Sequence, residues 1–226
     1  MFTHILLASD GSAHAQGAAA TAAALAKKFN ARLTIVNVYH AASLFESFHK
    51  SPGPDELQAI EKRQNEILHS AGRIADDMGV AYQSIRETGR PVEKIAQTAE
   101  KAQSDLIVLG SRGLGDIKSL LLGSVSDGVM QHAHCPVLIV KSSKEAASAF
   151  HNIFLGSDGS DCALKAAKAA AALAKAFDSR LTIINVFQMP VATDPYGTLS
   201  AWSLDEATID AYQENAIASA GRIVDM

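Results

Sequence analysis

The chain has 226 residues, 48% of them hydrophobic, with a formal net charge of −4 and two cysteines. That is enough apolar side chain for one or two domains with real cores. The acidic balance excludes a general electrostatic attraction to nucleic acid or anionic membrane, and two cysteines exclude a disulfide framework. No basic segment precedes the first acidic residue, Asp10, and Lys and Asp interrupt the alanine-rich stretches before membrane-spanning length. A soluble cytoplasmic protein without nucleic-acid or membrane partners is expected.

Residues 5–8 (ILLA) are a short apolar strand ending in Ser9-Asp10-Gly11-Ser12, a turn and helix N-cap signal. Residues 13–29 are strong helix formers, and 32–38 (RLTIVNV) carry the β-branched residues of a second strand. A loop with Ser51-Pro-Gly-Pro54 precedes a helix over about 55–78. A third strand follows at 81–86, then a helix opened by Pro91 and running to about 103. Residues 106–109 (LIVL) form a fourth strand, 124–132 a helix and 137–140 a fifth strand. Five apolar strands alternating with helices predict a parallel α/β sheet covered on both faces.

The fourth strand runs directly into Gly110-Ser-Arg-Gly113, and nine residues later Gly123-Ser124 opens the next helix. Glycines at a strand end let backbone amides approach a ligand closely, because no side chain intervenes. A Gly-Ser at a helix start adds unpaired N–H groups and the positive end of a helix dipole. Together they suit a polyphosphate, hence a nucleotide.

The chain also repeats itself. Residues 4–39 align without gaps on 152–187, with about 22 of 36 positions identical. The match resumes at Ser70-Ala-Gly-Arg-Ile74 and Ser219-Ala-Gly-Arg-Ile223, and the polar stretch 142–148 reads as the linker. Two domains are expected: a complete one over 1–142 and, over 151–226, the strand–helix–strand–helix front half of a second copy, without a glycine loop. An end at Met226 is read either as natural or as a truncation of a longer tandem chain.

The spacing G-x2-G-x9-G-[ST] at Gly110, Gly113, Gly123 and Ser124 resembles the ATP-binding signature of the universal stress protein family. The opening Ile5-Leu-Leu-Ala-Ser-Asp-Gly-Ser12 and the closing Cys135-Pro-Val-Leu-Ile-Val-Lys141 are similar to that family's first and last strands. The resemblance implies a Rossmann-like sheet in the order 3-2-1-4-5, with the ligand across the ends of strands 1 and 4. It places Asp10 near ribose and base, Ala8 and Ser9 at the same mouth, and the Val38 backbone against the adenine edge. Gly110, Arg112 and Gly113 would wrap the phosphates, and Gly123, Ser124 and Val125 would close on them, with the Ser126 hydroxyl assisting. Mg²⁺ would bridge phosphate oxygens rather than occupy an all-protein cage. The family's fifth strand commonly pairs with another, so a homodimer through Val137–Val140 is expected, an unpaired apolar edge being a template for association.

Other readings of these residues are structural. Asp10 and its twin Asp158 are good helix caps, and Arg112 suits a solvated loop. His132-Ala-His134-Cys135 lacks a second ligand pair for zinc, so no metal site is expected there. No general base or Walker lysine is visible, so ATP hydrolysis or autophosphorylation is expected to be slow and secondary. The leading expectation is an ATP-binding stress-response module. Its competitors are a nucleotide-independent dimerisation module and an enzyme of the adenine nucleotide hydrolase group, whose SGGxDS-type loop is absent.

Overall fold

The computed structural model describes residues 2–40, 53–113, 122–141, 150–158, 160–185, 192–193 and 199–200. The expected linker, the interior of the glycine loop at 114–121 and the last helix of the second copy lie outside these residues. The chain divides into two compact units, Met1–Ala149 and Phe150–Met226.

The first unit runs β1 (His4–Ala8), α1 (Ala13–Phe29), β2 (Arg32–Tyr39), α2 (Pro54–Asp77), β3 (Tyr82–Thr88), α3 (Pro91–Lys101), β4 (Leu106–Gly110), α4 (Ser124–His132) and β5 (Val137–Val140). All five strands are parallel, in the order β3-β2-β1-β4-β5. This is the expected sheet. β1 lies at its centre, which is why residues 5–8 are apolar on both faces and the whole strand is buried.

Local chemistry sets the helix ends. Ser12 caps α1 by accepting the Ala15 N–H at 3.2 Å, and Asn30 closes it in the left-handed region at φ 52°. The α1 alanines Ala15, Ala18, Ala22 and Ala26 are buried, so the helix lies close against the sheet. On the opposite face, Leu6, Ala8, Val36, Ile107 and Leu109 pack with Ile95 and Ala99 of α3 and Val129 of α4. Each large side chain buried there contributes roughly 1.5–3 kcal/mol. From β1 the chain turns toward β2 through α1, whereas β4 is reached from β3 through α3, so the connections diverge between β1 and β4. That divergence opens a crevice at the strands' C-terminal ends.

The second unit repeats the opening of the first: β6 (Asn152–Ser157), α5 (Asp161–Phe177) and β7 (Arg180–Asn185), with β6 and β7 parallel. Ser160 caps α5 through the Ala163 N–H, and Asp158 accepts the Ser160 N–H at 2.9 Å. Leu155, Ala167 and Ala170 form its core. Phe154 and Ile184 are 69% and 44% exposed, whereas their aligned counterparts Leu6 and Val36 lie fully buried beneath α3 and α4. A short antiparallel pair, β8 (Ala192–Thr193) with β9 (Leu199–Ser200), was not legible in the sequence. Among the described residues no helix is long and apolar enough to cross a membrane.

Candidate functional site

A cavity of about 280 Å³ opens where β1, β2 and β4 end. Ala8, Ser9, Asp10 and Val38 line it from β1 and β2, and Gly110, Arg112, Gly113, Gly123, Ser124, Val125 and Ser126 from the loop and α4. Every residue that the family resemblance assigned to the nucleotide therefore borders one cavity. Its wall also includes Ala15, Val36, Pro91, Ile95 and Leu109. Pro91 and Ile95 are four residues apart on one face of α3, a spacing that marks an apolar stripe but not what it faces.

At the loop end the carbonyl of Ser111 is the hub. It accepts the Gly123 N–H at 2.8 Å and the Ser126 hydroxyl at 3.0 Å, while the Ser111 N–H donates to the Val140 carbonyl at 2.9 Å. These bonds draw the two ends of the glycine loop together and fasten them to the sheet. The Ser126 hydroxyl, expected to assist a ligand, is buried and has its hydrogen shared between the Ser111 and Gly123 carbonyls. It positions the loop.

The three glycines differ in what they relieve. A Cβ on Gly110 would lie 2.8 Å from the His14 backbone carbon and 2.9 Å from the Ala15 nitrogen, so this glycine lets β4 touch the start of α1. At Gly113 a Cβ would lie 2.5 Å from Asp10 Oδ2. The other carboxylate oxygen of Asp10 accepts the Ser12 N–H at 3.0 Å, so Asp10 both shapes the turn after β1 and leans over the loop. At Gly123 a Cβ would meet nothing nearer than 3.4 Å, and φ is an ordinary −76°. Among the described residues no atom requires glycine there.

Gly123 also gives α4 no side-chain cap. The first intrahelical bond runs from the Asp127 N–H to the Gly123 carbonyl at 3.0 Å, so the N–H groups of Ser124, Val125 and Ser126 lack intrahelical acceptors. At the same end the Arg112 Nε–H is buried and, among the described residues, without an acceptor. An unmet buried donor of this kind costs roughly 1–3 kcal/mol. Among the described residues the loop end thus presents convergent N–H groups and the Arg112 cation.

The other end is apolar, bounded by Val36, Val38, Pro91, Ile95 and Leu109. In the β1–β2 ladder the Ser9 N–H donates to the Val36 carbonyl at 3.0 Å, and then β1 turns away at Asp10. Peptide groups alternate along a strand, so Val38 presents its N–H and C=O to the side that β1 has vacated. Among the described residues neither group has a partner. A donor and an acceptor lie side by side at the lip of an apolar slot.

Elsewhere, His132 Nδ1–H donates to the Gly128 carbonyl at 2.8 Å, closing the last turn of α4. Among the described residues no three His, Cys, Asp or Glu side chains converge as a metal site would require. Burial, reinforced by the Asp105 charge, pushes the Cys135 thiol up to about 11, so it is an inert packing residue. The exposed Asp158 carboxyl is held below its ordinary range by hydrogen bonds from Ser160, consistent with a helix-capping turn.

The profile of the universal stress protein family matches residues 1–141 and 149–224. The universal stress protein in the QAH/OAS sulfhydrylase 3′ region of Thermus aquaticus is 42% identical over 143 residues, which span 62% of this chain and 100% of the relative. Universal stress protein YxiE of Bacillus subtilis (strain 168) is 36% identical over 148 residues, again 62% of this chain and 100% of the relative. Among solved structures, a universal stress protein from Archaeoglobus fulgidus DSM 4304 superposes with a TM-score of 0.65 at 23% identity, covering 96% of this chain and 74% of the other, a likeness of fold. With both copies of its repeat matched and its sheet in the order expected of them, this chain belongs to the universal stress protein family.

Proposed function

We propose that the first unit binds ATP, and that occupancy of the cavity regulates association with partners in a stress response. The observation that carries this reading is the uncapped N-terminus of α4 converging with the buried, acceptorless Arg112 Nε–H at one end of the cavity. Backbone amides at a helix start and a guanidinium are complementary to phosphate oxygens. The apolar slot at the opposite end suits a flat base, and the N–H and C=O of Val38, unpartnered among the described residues, suit the acceptor and donor on the adenine edge. Gly123, which no described residue requires, leaves room for phosphate against the chain.

Mg²⁺ fits as an ion carried on the phosphates. Asp10 is the single carboxylate among the described lining residues, and Mg²⁺ keeps most of its shell as water and phosphate oxygen. Asp10 would hold it, and the ion would supply charge neutralisation. Among the described lining residues the charged side chains are Asp10 and Arg112, which favours binding over rapid turnover.

The decisive experiment is thermal unfolding with excess Mg-ATP. At about 100 times Kd the ligand adds about 2.7 kcal/mol of stability. Gly123→Val should abolish that gain without unfolding the apo protein, since valine accepts the extended backbone at this position. An unshifted transition in the unaltered protein sinks the ATP reading and leaves a nucleotide-independent interaction module. Release of AMP and pyrophosphate would favour a hydrolase of the adenine nucleotide group instead.

The β5 edge carries a second proposal, a homodimer through Val137–Val140. β5 pairs with β4 on one side only, and its four residues are half-buried. Its outer edge suits a second copy of the same strand.

A further inference from the structure

We propose that Asn37, backed by Gln64, is a positioning residue that makes the cavity selective for its base; the inference rests on the ATP reading above. In an uninterrupted parallel ladder the Val38 N–H would donate to the Ser9 carbonyl, the next acceptor along β1. That carbonyl is already taken. The Asn37 side chain, 4% exposed, reaches across with Nδ2 and donates to Ser9 O at 2.7 Å. Asn37 therefore closes the end of the ladder with a side-chain donor, and the main-chain donor of the next residue is left facing the slot.

Gln64 holds this arrangement from the other helix layer. It is 5% exposed on α2, and its Nε2 donates to the Glu87 carbonyl at 3.1 Å with a longer approach to the Asn37 carbonyl at 3.5 Å. Val38 pairs in register with Glu87, so the Gln64 amide straddles the β2–β3 pair on either side of the residue that reads the base. Neither Asn37 nor Gln64 lines the cavity. Both act through the Val38 peptide groups.

The repeat supplies a built-in control. Asn185 in the second unit makes the same bond, Nδ2 to the Ser157 carbonyl at 2.8 Å. Removing it deletes an equivalent hydrogen bond in the second unit rather than the first.

The full chain is titrated calorimetrically with Mg-ATP and with Mg-tripolyphosphate, which has no base, and amide hydrogen exchange at Val38 is followed without ligand. In Asn37→Ala, ATP should bind about tenfold more weakly, the loss of roughly one hydrogen bond, while tripolyphosphate changes less than about twofold. The Val38 amide should exchange more slowly as it claims the freed Ser9 carbonyl. Asn185→Ala should change none of the three. Gln64→Met, which keeps the side-chain volume, should show the ATP-selective loss at about threefold and serves if Asn37→Ala does not fold. Equal weakening of ATP and tripolyphosphate would overturn the proposal, as would unchanged exchange at Val38. Failure of the unaltered chain to bind ATP would remove the reading beneath it, whereas tripolyphosphate-like affinity for ATP would remove the base contact alone.

Discussion

Two glycines that look alike in the loop motif, Gly110 and Gly123, should behave differently when each gains a methyl group. In Gly110→Ala the new Cβ falls 2.8 Å from the carbonyl carbon and Cβ of His14 and 2.9 Å from the Ala15 nitrogen. None of these is the far end of a flexible side chain, so β4 or the first turn of α1 must shift by several tenths of an ångström. Overpacking of this kind costs about 1–3 kcal/mol. For a unit of this size that lowers Tm by about 2–12 °C. In Gly123→Ala the nearest atom is 3.4 Å away and φ is −76°, so strain is absent. Reduced freedom of the unfolded chain and the weaker N-cap roughly offset each other, leaving stability within about 0.5 kcal/mol of the parent. The ligand response should invert: Gly123→Ala keeps its apo Tm but loses most of the shift with Mg-ATP. Differential scanning calorimetry of both variants, with and without Mg-ATP, measures all four quantities. An unperturbed Gly110→Ala beside a strongly destabilised apo Gly123→Ala would refute the division of roles.

Ser126→Ala removes the hydroxyl that bridges the Ser111 and Gly123 carbonyls, each of which keeps a backbone donor. It should cost about 0.5–1.5 kcal/mol in denaturant unfolding and weaken ATP several-fold by loosening the loop. At pH 8 the exposed Cys162 should be alkylated by iodoacetamide while Cys135 stays largely unmodified. A thiol near 11 is only about one part in a thousand thiolate at that pH, which peptide mapping can resolve. In β5 the Leu138 and Val140 peptide groups face β4 and those of Ile139 face outward, following the Ile107-to-Pro136 and Ser111-to-Val140 bonds. Ile139→Pro should therefore block edge pairing without breaking the β4–β5 ladder, and sedimentation should show a monomer; a dimer that survives would place the interface elsewhere.

Much of the site was legible because its signals are local. A glycine's freedom, an Asp-Gly-Ser turn and a Gly-Ser helix start are properties of a few consecutive residues, so Asp10, Gly110, Gly113 and Gly123 could be found without a structure. Pro91 and Ile95 could not, since their apolar spacing suits a core face equally well. Asn37 was also hidden: inside RLTIVNV it reads as a polar residue of a strand, and only the departure of β1 at Asp10 makes its amide the end of a ladder.

By itself the sequence determined the order of elements, the turn and N-cap signal ahead of α1 and the doubling of the strand–helix–strand unit, because apolar period and capping chemistry act over a few residues; it named Asp10 and Asp158 as caps where Ser12 and Ser160 do the capping. It also marked the loop from Gly110 to Ser124 as a place where backbone could meet a ligand. Tertiary structure decided what each of those groups is for. It set Gly110 against α1 and left Gly123 facing the cavity, committed the Ser126 hydroxyl to Ser111, and stranded the Val38 peptide groups where two neighbouring strands part. Those outcomes depend on contacts between segments tens of residues apart, which no short-range pattern encodes.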